Sequence, residues 1–158
     1  MKIIFLDVDG VINTIAADGI CPAVMYRLKH ILDTTGSHLV ISSDWRKDRY
    51  QMLIDILGQY DILAPIGWTG VVKQNQVDWA AFPKNAMTRG AIRTTEITNW
   101  LNDNKNVTDF AVIDDHPMYF NNQFFKTNPY LGITDAMALT IIQHLGTRPL
   151  QNTDNTKD

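Results

Sequence analysis

The chain has 158 residues and a formal net charge of -3 at neutral pH, a length that fits one domain able to bury roughly two thirds of its unfolded surface and a charge that argues against a general polyanion binder. One cysteine, Cys21, excludes an intramolecular disulfide and a cysteine-based zinc site, and it reads as a small packed residue of the reducing cytoplasm. No run approaches the ~20 apolar residues of a membrane span and the first residues lack a cleavable leader pattern, so no membrane is expected; no obligate protein partner is evident from the sequence. Lys2 to Asp7 carries a continuous run of strand formers, the pattern of a strand covered on both faces. Pro22 suits the first position of a helix whose buried face is Val24, Leu28, Ile31 and Leu32. Leu39 to Ile41 gives the next strand, and Tyr50 to Leu57 a helix with Leu53, Ile54 and Leu57 on one stripe and Gly58 as its stop.

Residues 59–92 lack a clean period and read as irregular with short elements, with Trp68 and Trp79 as core residues or, alternatively, as platforms for nucleobases. Thr95 to Leu101 predicts a helix with Glu96 in its first turn, where the macrodipole favours an anion. Phe110 to Ile113 is a third main strand, and Leu131 to Thr134 a short one before a last helix capped by Thr134 or Asp135 and ended by Gly146. The alternation of strand and helix predicts an α/β fold: a three-layer, doubly wound (Rossmann-like), mostly parallel sheet. Residues 1–146 make one domain, and 147–158, almost wholly polar, read as a disordered tail.

Three strand ends carry polar groups. The first apolar run ends in Asp7 and Asp9, two apart and on one face while the backbone stays extended, before Gly10 turns it. The second ends in Ser42 and Ser43, and the third in the acid pair Asp114 and Asp115. Ligands of open α/β sheets bind at such carboxyl ends. An oxygen-rich cluster suits Mg2+, with Asp7 and Asp114 as carboxylate ligands and Asp115 as a further ligand or as an acceptor that orients one. His116 adjoins the pair, but the other histidines offer no ligand spacing.

In the order and spacing of these groups the chain resembles the haloacid dehalogenase (HAD) superfamily of phosphotransferases. The strings FLDVDGVIN, ISSDWR, RTTEITNWL and VIDD resemble the small capless HAD domains associated with RNA-repair proteins, over residues 1 to about 145. The resemblance implies that Asp7 is the nucleophile, that Asp9 is the acid and then the base, and that the Asp9 backbone carbonyl joins the metal ligands. It implies a phosphoryl hydrogen bond from Ser42, with Ser43 as an added donor, and a cation that Arg93 matches best, with Arg89 and Lys84 as competitors. Arg46 either reaches substrate phosphate or a base, or pairs with Asp44. The short intervals between these groups leave no room for a large cap. An open site favours bulky substrates, so a phosphorylated nucleic-acid end or a nucleotide is expected. The alternatives are a mononucleotide phosphatase and a non-catalytic phosphate-binding regulatory domain.

Overall fold

A computed structural model describes residues 1–148. Strand β1 (Lys2–Leu6) pairs in parallel with β4 (His38–Ile41) on one side and β6 (Asp109–Asp114) on the other, and β5 (Gly67–Trp68) and β7 (Phe124–Lys126) close the edges. The five-stranded sheet is therefore wholly parallel, in the order β5-β4-β1-β6-β7. A separate hairpin of β2 (Asn13–Thr14) and β3 (Gly19–Ile20) follows the first strand.

The unbroken apolar run of β1 is explained by cover on both faces. Ile4 and Leu6 pack with α1 (Pro22–Thr35), α3 (Tyr50–Gly58) and α5 (Asp135–Leu145) through Leu28, Leu53, Leu57 and Ile141. Ile3 and Phe5 point the other way, into a smaller core with Ile97 and Trp100 of α4 (Thr88–Asp103). The result is the three-layer, doubly wound (Rossmann-like) α/β arrangement the sequence predicts, and among the described residues no insert forms a large cap. No helix of the described residues is long and apolar enough to cross a membrane.

The helix predicted over Thr95–Leu101 begins at Thr88. Its first turns bury Gly90, Ala91, Arg93 and Thr94, small and polar side chains that carry no apolar stripe. A side chain at Gly90 would collide with the Pro117 carbonyl oxygen, so its bare backbone lets α4 lie against the loop after β6. Glu96 is consequently deep in the helix rather than in its first turn, and Arg93 does not stand at the helix start. Gly58 stays helical, and the positive φ that ends this region falls at Asp61. Leu131–Thr134 is not a strand: Asn128 and Gly132 form a single bridge there, and the edge strand is Phe124–Lys126, too short to show a period. The short helix α2 (Trp45–Asp48) also escaped sequence reading. Of the tail expected from 147 on, residues 149–158 lie outside the described residues, while the Arg148 amide donates to Thr34 O at 2.7 Å.

Candidate active site

Strand β1 is the point at which the chain changes direction across the sheet, with β4 on one side and β6 on the other, and a ligand crevice opens at such a switch. Asp7 immediately follows β1, Ser42 follows β4 and Asp114 ends β6. The ladder holds them in register, since the Asp7 amide donates to Ile113 O at 3.0 Å and the Ser42 amide to Leu6 O at 3.1 Å. Arg93 reaches in from α4: its Nη1 donates to Asp114 Oδ2 at 2.7 Å and lies 3.2 Å from Asp7 Oδ1. Asp7 is 2 % exposed and Arg93 3 %. The α4 backbone is held in place by the Tyr119 amide donating to Thr94 Oγ1 and the Met87 amide to Tyr119 OH.

One guanidinium does not balance the charge here. Burial, followed by repulsion from Asp114, pushes the Asp7 carboxyl up to about 7 against the opposing pull of Arg93. Burial also raises Asp114, again against Arg93. Burial opposes the charge on Arg93, yet Asp7 and Asp114 together hold it above its ordinary value. Among the described residues three buried side-chain oxygens have no hydrogen-bond partner: Asp7 Oδ2 and Ser42 Oγ here, and Thr69 Oγ1 beside Arg46. Unsatisfied buried polar atoms cost about 1–3 kcal/mol each, so two side by side at adjacent strand ends mark places where a ligand supplies the missing contacts.

Ligand atoms of Asp7, Asp114, Asp115 and His116 all lie within 4.8 Å of one another. The set is rich in carboxylate oxygen, His116 Nδ1 is already paired with Asp115 Oδ1 at 2.9 Å, and Asp7 Oδ2 is without a partner. Three acids, one spare oxygen and an excess of negative charge fit a divalent cation. Gly10, at φ +78°, completes the cradle, because a Cβ there would run into the Asp115 carboxylate. Thr127 Oγ1 donates to Gly10 O at 2.7 Å and ties this loop to the end of β7.

The Asp9 side chain does not join that cluster. The chain bends after Val8, whose carbonyl accepts from the amides of Val11, Ile12 and Asn13, so the extended geometry that would keep Asp7 and Asp9 side by side is lost. Asp9 is exposed at the mouth, where Oδ1 accepts from Asn13 Nδ2 at 2.6 Å and Oδ2 from Trp45 Nε1 at 3.1 Å. Asn13 and Trp45 are the site residues that sequence reasoning missed. The spacing of Asn13, four residues after Asp9 across a glycine turn, was the available signal for the first; Trp45, brought from another strand end, offered none.

The remaining expected residues divide. Arg46 has its donors committed within the chain: Nη2 donates to Glu96 Oε2 at 2.9 Å, Nη1 to the Ser42 and Ser43 carbonyls and Nε to Thr69 O at 3.0 Å. It is only 3.8 Å from Asp44, the partner the sequence suggested. The Ser43 hydroxyl is turned inward to accept from the Trp45 amide at 3.3 Å, and Ser43 is buried, so it serves the turn. Arg89 stays at the rim, exposed, with Nη2 3.6 Å from Asp44 Oδ2. Lys84 sits in the exposed turn before α4 and makes none of the ion pairs that converge on the site. Trp68 and Trp79 are 53 % and 39 % exposed and are not core residues; Trp68 lies on the edge strand with its ring against Tyr50, and Trp79 lies in a 3-10 turn with its ring beside Phe82.

A family model described as the HAD domain in Swiss Army Knife RNA repair proteins matches residues 3–138. No curated protein matches the chain, and no solved structure does.

Proposed function

The chain belongs to the family of HAD domains in Swiss Army Knife RNA repair proteins, and on that premise we propose that it is a Mg2+-dependent phosphomonoesterase acting through an aspartyl phosphate on Asp7, with phosphorylated nucleic-acid ends as its substrates. Membership implies a phosphatase-type hydrolase. The observation that carries the proposal is the acid cluster in which Asp7 and Asp114, both buried, meet Arg93 and the half-buried Asp115 adjoins them, with an unpartnered Asp7 oxygen and an unpartnered Ser42 hydroxyl at adjacent strand ends. The nucleic-acid end is supported by the family's description and by the absence of a large cap among the described residues. With one cysteine in the chain, a cytoplasmic setting is part of the same proposal.

Phosphate monoesters are dianions that resist attack by a carboxylate. Mg2+ held by Asp7, Asp114 and Asp115 would supply the positive charge that makes the phosphoryl group approachable. The Asp7 carboxylate attacks phosphorus; the new Asp7 O–P bond forms as the bond to the leaving oxygen breaks, and Asp9 gives that oxygen its proton. A water then attacks phosphorus, Asp9 takes the proton, and the Asp7 O–P bond breaks to release inorganic phosphate. The donors Trp45 Nε1 and Asn13 Nδ2 hold the two Asp9 oxygens in place for both transfers. Arg93, with one Nη on Asp7 and Asp114, and Ser42 Oγ are the donors available to the phosphoryl oxygens.

The test is release of phosphate from p-nitrophenyl phosphate. Turnover that requires Mg2+, stops with EDTA and resumes with excess Mg2+ is expected. Undiminished hydrolysis in metal-free buffer would exclude this mechanism.

A further inference from the structure

The site has two unlike flanks. On one side, beneath the β2–β3 hairpin, an open depression of about 650 Å3 is lined by Asp9, Asp18 and Asp115 and holds no cationic side chain. On the other, a groove of about 420 Å3 runs between α2, α4 and the loop after β5, lined by Asp44, Lys47, Val71, Val72, Thr88, Arg89 and Ile92, with Arg93 and Glu96, the latter already paired with Arg46, at its inner end. An anionic chain leaving the site is repelled by the first flank and attracted by the second.

The cations of that groove converge on one carboxylate. Lys47 Nζ lies 2.9 Å from Asp44 Oδ1, while Arg89 Nη2 and Arg93 Nη2 lie 3.6 and 3.8 Å from Asp44 Oδ2. The hydrogen bond from Lys47, with the charges of Arg93 and Arg89, holds the Asp44 carboxyl below the usual range in spite of partial burial. Asp44 thus occupies, from within the chain, a position that three cations prepare for an anion. The Arg93 guanidinium that touches it with Nη2 touches Asp7 with Nη1, which puts this position one guanidinium away from the proposed nucleophile. Lys47 and Arg89 are half exposed and free to follow a different anion. Arg46, also near Asp44, has its donors committed elsewhere.

We infer that Lys47 and Arg89 form a second anion subsite, occupied in the absence of substrate by Asp44, which takes the first internucleotide phosphodiester of a strand whose terminal phosphate lies at Asp7. The inference rests on the phosphomonoesterase reading and adds the direction in which the strand leaves. The phosphodiester replaces the Asp44 carboxylate as the partner of Lys47 and Arg89. The apolar edges of Val71 and Val72 leave room for the intervening sugar.

The probe is a pair of terminally phosphorylated dinucleotides, tested as 3' and as 5' isomers, that differ only in a charged phosphodiester or a neutral methylphosphonate linkage. For the wild-type protein kcat/KM is expected to favour the charged linkage by about tenfold or more in one isomer, the size of a charge-assisted hydrogen bond. In the Lys47→Gln/Arg89→Gln double variant that ratio falls toward one. In Asp44→Asn, which removes the resident anion, the ratio rises. A purely structural Asp44 would instead depress both substrates alike. Thermal unfolding checks that the variants, altered at the surface, remain folded. Equal rates on the two linkages, or a preference that survives in the double variant, overturns the inference while p-nitrophenyl phosphate hydrolysis still supports the phosphatase. A nucleoside 5'-diphosphate that outpaces every dinucleotide tenfold overturns it in favour of a diphosphate. No hydrolysis of any ester with Mg2+ overturns the enzyme reading, and this inference with it.

Discussion

Arg46 and Arg93 are both buried, both paired with acids and both close to the end of β4, yet they stand in opposite kinds of surroundings. The Arg46 guanidinium meets Glu96 and the carbonyls of Ser42, Ser43 and Thr69, and the second Glu96 oxygen accepts from the Val72 amide at 3.0 Å. The charges of Arg46 and Glu96 and their hydrogen bonds are met within the chain, and the effect is to staple the loop after β5 to α4. Arg93 faces Asp7, Asp114 and the partly exposed Asp44, with Asp7 Oδ2 and Ser42 Oγ left over. A completed network fixes a fold; an incomplete one, held in place by a completed neighbour, is where a ligand belongs.

The largest effect that would sharpen this contrast is on the Arg93 side. Asp7→Asn should reduce kcat by roughly 10^4-fold or more, as loss of a nucleophile does, and should leave the metal-free protein at least as stable at neutral pH, because it removes a buried charge. Near wild-type rates in Asp7→Asn would break the assignment. Arg93→Met should lower kcat/KM by ~10^2–10^3-fold, the scale of a lost oxyanion donor. Arg46→Met acts through stability instead: it leaves Glu96 buried and unpaired and should cost ~3–5 kcal/mol by denaturant unfolding, with much of the loss recovered in Arg46→Met/Glu96→Leu. An Arg46→Met protein of unchanged stability would show that the staple is not one.

The pH dependence separates the two regions next. Asp7 titrates near 7 when folded and near the ordinary aspartate value when unfolded, so the folded state binds the extra proton between about pH 4 and 7. Its contribution to metal-free stability is present below about pH 4 and is lost as pH rises through about 7. Mg2+ must displace that proton, so the rise in Tm on adding Mg2+ should be greater at about pH 8 than at about pH 5.5. Asp7→Asn should flatten this dependence. An equal Mg2+ shift at both pH values would contradict the account. The smallest effect is expected of Trp45→Phe, which keeps the ring but removes the donor to Asp9: kcat should fall ~10-fold while stability changes by about 1 kcal/mol.

Local pattern made most of the fold legible. The two-sided burial of Ile3–Leu6, the helix opened by Pro22 and the Thr134 cap, whose Oγ1 accepts from the Met137 amide at 3.2 Å, are all written in neighbouring residues. What pattern could not show was packing of small or polar surfaces. The first turns of α4 bury Gly90, Arg93 and Thr94, and no hydrophobic period announces them. The acids at the strand ends were legible for the same local reason, since Asp7 and Asp114 close apolar runs. The role of Arg46 was not, because its partner Glu96 lies fifty residues away and is recognisable only once α4 crosses β4. Nor was the separation of the Asp7 and Asp9 side chains, which the turn on Val8 O imposes.

The claim that Asp7 carries the phosphoryl group is tested most directly by acid-quenching the protein during turnover of p-nitrophenyl phosphate with Mg2+ and mapping the phosphorylated peptide by mass spectrometry. A phosphoryl group is expected on Asp7, lost in Asp7→Asn and in EDTA, and more abundant in Asp9→Asn, where release of phosphate from Asp7 lacks its base. Rapid turnover of the wild-type protein with no phosphoryl group trapped in either the wild type or Asp9→Asn, or with the phosphoryl group on another residue, would contradict it.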